Sequence, residues 1–325
     1  MDIFPQSLKD HRVQLGADVE NGEVHWEPIR SLWFSTMALG ALVGGTLTFS
    51  WSAFVLFVVT TAFVLLCGHS LGMHRKLIHE SFQCPKWLEY FLVYCGVLVG
   101  LSGPLGLLRT HDLRDYAQRQ KACHDFFGHR RSPLVDAWWQ LHCELRLRRP
   151  PDILVEARVE EDPVYRFLQK TWMLQQLPWA LLFFAIGGWG WVFWGVCARV
   201  TAGVFGHWLI GHFAHRHGDQ AHIVEGASVQ GYNVPFAVLL TMGECWHNNH
   251  HAFPGSAKLG LYEGEWDPGW WVLLVLQRMG LVWNLKTPAD LPVREELRHV
   301  HRRCRCECGG RAGRHEAMVM ELKEH

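Results

Sequence analysis

Three imidazoles stand three and four residues apart in Glu244-Cys-Trp-His247-Asn-Asn-His250-His251. On a helix those positions share one face, so the rings can converge on one or two cations. Neutral imidazole is a ligand for several transition metals, zinc, copper, iron and nickel among them. A lone histidine is more often an interfacial polar residue or a satisfied core residue. Three crowded on one face, where solvent is limited, are costly unless they share a proton or a metal. Seven further histidines gather at the ends of apolar stretches: His69, His74 and His79, then His111, then His207, His212 and His215. His74 and His79 form a weaker pair, because five residues is about 140° of α-helix and brings them to one face only if the helix ends between them.

The elements that must position these rings are apolar. Residues Leu32 to Gly68 carry no Lys, Arg, Asp or Glu, about twice the roughly 20 residues that one membrane-crossing helix needs. A second uncharged stretch runs from Thr171 to Ala198 and continues past Arg199 to Gly206, with Pro178 expected to kink its first arm. The sequence therefore predicts an all-α integral membrane protein, with four transmembrane helices in two hairpins and a cytosolic helical cap carrying the site. Its expected divisions are a polar N-terminal arm (1–31), a membrane domain (32–288) and a charged C-terminal tail (289–325). The hairpin tips, near Phe49 to Ser52 and Gly187 to Trp191, are uncharged, whereas Arg109 to Lys170 is rich in Lys and Arg, among them Arg114, Arg119, Lys121, Arg130, Arg131, Arg146, Arg148 and Arg149. The positive-inside rule then places the site and both termini in the cytosol.

Leu88 to Leu108 is long enough to span. A single crossing there would put His74 and His79 on one side of the membrane and His111 on the other. Gly96, Gly100, Gly103, Pro104 and Gly106 also make it a poor continuous helix, so it is expected to be re-entrant or surface-lying and covered by protein.

With 31 basic and 31 acidic residues, the balanced charge gives no reason to expect nucleic acid as a partner. Ten cysteines are expected to be reduced thiols. Cys304, Cys306 and Cys308 lack the paired spacing of a structural zinc site. The first 30 residues are polar and mixed in charge, unlike a cleavable signal peptide.

The segments Gly72-Met-His74-Arg-Lys-Leu-Ile-His79-Glu-Ser-Phe82 and Gly243-Glu-Cys-Trp-His247-Asn-Asn-His250-His251-Ala-Phe-Pro254 resemble the first and last histidine boxes of the membrane acyl-CoA desaturase family, which includes stearoyl-CoA desaturases. The resemblance runs from about residue 32 to 288. It extends to Gly211-His212-Phe-Ala-His215, which is similar to the family's extra ligand segment. It implies a centre of two iron ions that activates O2 and removes hydrogen from an unactivated methylene of a long-chain fatty acyl substrate, in acyl-CoA or acyl-lipid form. It also implies a separate electron donor of ferredoxin, rubredoxin or cytochrome b5 type, since no cluster-binding or haem-binding unit is fused.

Matched to the boxes, His74, His79, His111, His215, His247, His250 and His251 are the implied metal ligands, with Glu244 orienting one of them. The middle box departs from the family's His-x-x-His-His and reads His111-Asp112-Leu113-Arg114-Asp115. Arg114 stays protonated and cannot bind a metal. Asp115 stands in a ligand slot as a carboxylate, with Asp112, His124 and His129 in reserve, and His212 is a further candidate beside the extra ligand. Gly211 stands where the family often has a water-linking Asn. A relative with a hydroxylase or oxidative decarboxylase outcome, or a non-catalytic lipid- or metal-binding protein of the same fold, stays open at this level. Arg130 and Arg131 could grip an anionic head group or simply carry the positive-inside signal. The stretch from Trp266 to Trp283 is expected to form an interfacial helix with aromatic anchors.

Overall fold

The computed structural model describes residues 17–300; the Cys304, Cys306 and Cys308 run and both chain ends lie outside the described residues. Glu27 caps the first apolar helix by accepting from the backbone N–H groups of Ile29 and Arg30, with Pro28 at the first position. That helix passes through a π-helical turn at Gly40–Gly44 and ends at Leu47. Ser50 then caps the next, its hydroxyl accepting from Ala53 N–H at 3.2 Å.

Trp51–Ile78 (28 residues) and Gln176–Ala214 (39 residues) are each long and apolar enough to cross a membrane. At about 1.5 Å per residue the first is longer than the roughly 30 Å hydrocarbon thickness, so a projecting end is available beyond the length needed to span. The second is not straight. Gly188 has φ +65°, a conformation that suits glycine, and the chain doubles back there. The Arg199 guanidinium donates to Gln176 Oε1 at 2.6 Å, although a straight helix would separate these residues by about 35 Å. The two apolar turns meet: Trp191 Nε1 donates to Ser52 Oγ at 3.2 Å. Pro178 causes no kink, because the helix begins at Gln176 and the proline occupies its first turn, where no intrahelical donor is lost.

The Leu88–Leu108 stretch divides into a helix at Lys86–Val97, a turn with Gly100 at φ +88°, and a second helix, Pro104–Arg119. The first packs backbone to backbone on the projecting end of Trp51–Ile78. A Cβ on Gly72 would lie 2.2 Å from the Leu92 carbonyl oxygen, and one on Gly68 would lie 2.3 Å from the Cys95 carbonyl carbon. The chain thus returns to its starting side, bringing His111 to the end of the bundle that carries His74. Met73, Leu77, Val93, Leu108 and Tyr165 form the core between these helices and Pro163–Thr171. Lys76, Glu89 and Tyr165 pin the same junction, with Lys76 Nζ 3.3 Å from Glu89 Oε2 and the Tyr165 hydroxyl donating to Glu89.

The fold is mostly helical, but two short antiparallel sheets add strands to a chain expected to be all-α. Asp18–Trp26 pairs with Cys143–Arg149, and His222–Val224 pairs with Leu297–His299. The arm and the beginning of the tail are therefore fastened to the body. The seven described cysteines are free thiols. Trp266 to Trp283 contributes the helix Pro268–Arg278, with Leu273 fully buried and Trp271, Val275 and Met279 exposed, a one-sided burial suited to an interface.

Substituting Gly72→Leu forces the two helices apart. The expected cost is on the order of 3 kcal/mol, read as a lower thermal midpoint; an unchanged midpoint would contradict the close backbone contact.

Candidate metal centre

The Val64–Ile78 half of its helix is π-helical, with i→i+5 bonding and roughly one residue more per turn than an α-helix. The His79 N–H accordingly donates to the His74 carbonyl oxygen at 3.0 Å. Five residues then make about one turn, and the two rings meet with centroids 4.7 Å apart. An α-helical count had set them on different faces; the wider helix overturns that count. His111 comes from Pro104–Arg119, with its ring 5.2 Å from His74 and 5.0 Å from His79. His250 completes the group, 4.5 Å from His74 and 4.8 Å from His79.

The last box serves two groups. On the helix His247–Ala252, His250 turns to the first group while His247 and His251 turn to a second, where they meet His215. In this second group His247 Nε2 lies 3.0 Å from both His215 Nε2 and His251 Nε2. His215 Nδ1 donates to the Gly211 carbonyl oxygen at 2.7 Å, which assigns the lone pair of His215 to Nε2. His247 Nε2 carries one proton at most in neutral form, so no more than one of the two contacts can be a hydrogen bond and the other has no proton directed along it. A separation of 3.0 Å is also the spacing of nitrogens about 2.1 Å from a metal at right angles. Donor set and spacing both fit a metal ion. Burial holds His247 down to about 3 despite the opposing charge of Asp115, and burial likewise holds His215, His250 and His251 well below the ordinary imidazole value. The rings are neutral and available as ligands.

Glu244 lies behind the first group. Its Oε2 is 2.5 Å from His74 Nδ1 and its Oε1 accepts from the Ser70 hydroxyl at 2.5 Å. Burial pushes the Glu244 carboxyl up, but His74 and Arg75 outweigh it and hold it well below the usual carboxylate range. Arg75, fully buried, donates to Asp267 at 2.8 and 3.2 Å and to the Ala257 carbonyl oxygen at 2.6 Å. This links the first box to the loop following the last.

The asparagines of the last box are braces. Asn248 accepts from the backbone of Ala221 and His222, and Asn249 donates to Leu259 O and Glu265. Asn233 Oδ1 accepts from Asn248 N at 2.9 Å. Sequence reasoning missed Arg75, Asp267, Asn233 and Asp136; Arg75 and Asp267 lie 192 residues apart, and Asp136 meets Trp208 and His212 across 72 and 76 residues. Only the charge of Arg75 beside a box histidine signalled a buried pair.

The other sequence candidates stand elsewhere. Asp115 Oδ2 is 3.7 Å from His111 Nδ1, and Asp112 Oδ1 is 4.0 Å from the same atom; neither carboxylate joins either imidazole group. Arg114 donates to Gln140 Oε1 at 2.8 Å. His124 is drawn away, because its Nδ1 caps a short turn by accepting from Phe126 N–H at 3.2 Å. His212 turns instead to Asp136, 2.8 Å away, which also receives His129 at 2.9 Å. Arg130 donates to the Ser228 carbonyl oxygen, and Arg131 pairs with Asp125.

A cavity of about 180 Å³ opens beside the first group. Leu65, Val99, Leu101, Ile210 and Phe213 line its walls, and His69, His207 and Glu244 its polar end. Apolar helices, two groups of convergent imidazoles and this adjoining apolar cavity define a membrane protein with a histidine-rich metal centre.

No family model matches the chain, but individual relatives do. The sn-1 stearoyl-lipid 9-desaturase of Anabaena variabilis is 34% identical over 270 residues, 81% of this chain and 94% of that protein. Acyl-CoA 5-desaturase AL21 of Anemone leveillei is 32% identical over 253 residues, 76% of each chain. The sn-2 palmitoyl-lipid 9-desaturase of Nostoc sp. is 34% identical over 241 residues, 72% of this chain and 81% of that protein. The chain belongs to the acyl-CoA and acyl-lipid desaturase family and is a fatty-acyl desaturase, an oxidoreductase with a metal cofactor.

Substituting Glu244→Gln removes the charge behind His74. Metal affinity of the first group is expected to fall about 10- to 100-fold in a metal titration; an unchanged affinity would show that Glu244 does not orient a ligand.

Proposed function

We propose that the chain is an O2-dependent di-iron desaturase that introduces a double bond into a long fatty acyl chain carried by CoA or by a lipid. The observation that carries this reading is the pair of imidazole groups set against one apolar cavity. His74, His79, His111 and His250 would hold one iron, and His215, His247 and His251 the other. Bound iron supplies reductive activation of O2 and the power to take hydrogen from an unactivated methylene. The chain's own residues do the positioning. Glu244 fixes the His74 ring with Nε2 toward the metal. The apolar walls align a stretch of methylenes and exclude water, so selectivity becomes a matter of which carbon stands at the polar end. The electrons would come from a separate small donor docking on the cytosolic side.

The fold-back at Gly188 and the break between Leu47 and Trp51 support four spans in two hairpins, with the arm, cap and tail on the cytosolic side. In that arrangement the basic middle segment and the imidazole groups share one side. The names of the relatives, covering both CoA-linked and lipid-linked substrates, support an acyl substrate without choosing between the carriers.

Lipid profiling of a host expressing this chain should show a new unsaturated acyl chain, lighter than its precursor by two hydrogens, and a His250→Ala version should abolish it. Equal profiles would leave the enzymatic reading without support, and a gain of oxygen would replace it with hydroxylation. A Cβ added at Gly206, in the cavity wall, would meet no atom within 4 Å. Gly206→Leu should therefore fill the cavity and shift the product toward shorter chains; an unchanged chain-length profile would place the acyl chain elsewhere.

A further inference from the structure

A third buried cluster lies beside the second imidazole group, and the reading above gives it no task. Asp136 Oδ2 receives three donors: His129 Nδ1 at 2.9 Å, His212 Nδ1 at 2.8 Å and Trp208 Nε1 at 2.8 Å. Indole nitrogen can only donate, and a carboxylate can only accept. Burial raises the Asp136 carboxyl, but these donors outweigh it and hold it at about 2, so it is an anion. Both imidazoles thus present Nδ1–H to it and carry their lone pair on Nε2. The lone pair of His212 faces the Arg216 guanidinium at 3.4 Å.

That of His129 is different. His129 is fully buried, and its Nε2 has no hydrogen-bond partner in the protein. Such a group is costly to leave unpaired. Its ring lies parallel to that of His215, with centroids 5.4 Å apart, and the Nε2 edge faces Gly211, where a Cβ would come no nearer than 3.5 Å. Gly211 O accepts from His215, so the unspent acceptor borders the space next to the second group. That group has three imidazoles where the first has four. A direct cation site at Asp136 is disfavoured, because both imidazoles turn N–H toward the carboxylate and the Arg114 and Arg216 guanidinium groups stand nearby.

We propose that His129, oriented by Asp136, is a positioning residue of the second centre, its Nε2 accepting a hydrogen bond from a water that completes the ligand set of His215, His247 and His251. The inference rests on the dinuclear reading. The absent side chain at Gly211, where a Cβ would lie 3.5 Å from His129 Nε2, leaves room for the water.

Cobalt(II) is the probe, added to metal-free full-length protein and followed by its visible absorption. Wild type should take two equivalents. His129→Ala should keep the first at wild-type affinity, a control for folding, and bind the second about 10- to 100-fold more weakly. His129→Gln, which keeps an acceptor, should recover most of that affinity, and Asp136→Asn should lose part of it. Two equivalents at wild-type affinity in His129→Ala, with His215→Ala losing one, would overturn the proposal alone. A wild type that binds a single equivalent would overturn the dinuclear reading, and this inference with it.

Discussion

The structure depends on one electrostatic constraint: seven imidazoles face one another in two buried groups, and in the second, two nitrogen contacts of 3.0 Å share too few protons for both to be hydrogen bonds. Neutral rings so placed repel unless a cation lies between them, and burial keeps those of the second group and the last box neutral. The surrounding fold keeps these rings from relaxing apart. Glycines at 68 and 72 let the Lys86–Val97 helix approach backbone to backbone, which anchors the projecting end that carries His74 and His79. The asparagines between the last-box histidines are spent on the loops around them.

Buried charge performs the longer-range fastening. Arg75 is inaccessible, and its cost is offset only because Asp267 meets it with two hydrogen bonds and Glu244 lies alongside. Asp267 also accepts from the backbone of Leu259 and caps the Pro268–Arg278 helix at Trp270. One ion pair therefore joins the first box, the loop after the last box and the closing helix. Asp136 has a similar place beside the second group, between helices distant in sequence.

Much of this was legible in the sequence. Uncharged runs mark the apolar helices because an unpaired charge in a membrane is expensive, and their turns fall where the uncharged tips were expected. The glycines of Leu88 to Leu108 foretold a broken segment that returns. The His74 and His79 spacing brings the rings together on an α-helix only if the helix ends between them; here the helix ends at Ile78 and is π-helical, a form that follows from packing rather than from local propensity. The last box was read as able to serve one or two cations, and His250 joins the first group while His247 and His251 join the second. Short exposed strands escaped notice, since Asp18–Trp26 and Cys143–Arg149 carry little apolar alternation and gain their pairing from each other. Asp136 gave no signal at all, because two of its three partners, Trp208 and His212, come from a distant helix.

The central claim is that the two imidazole groups each hold an iron ion. Iron content per chain in fully loaded protein purified in lipid or detergent tests it most directly. The account predicts two irons per chain, and one iron or none in well-loaded, folded protein would contradict it.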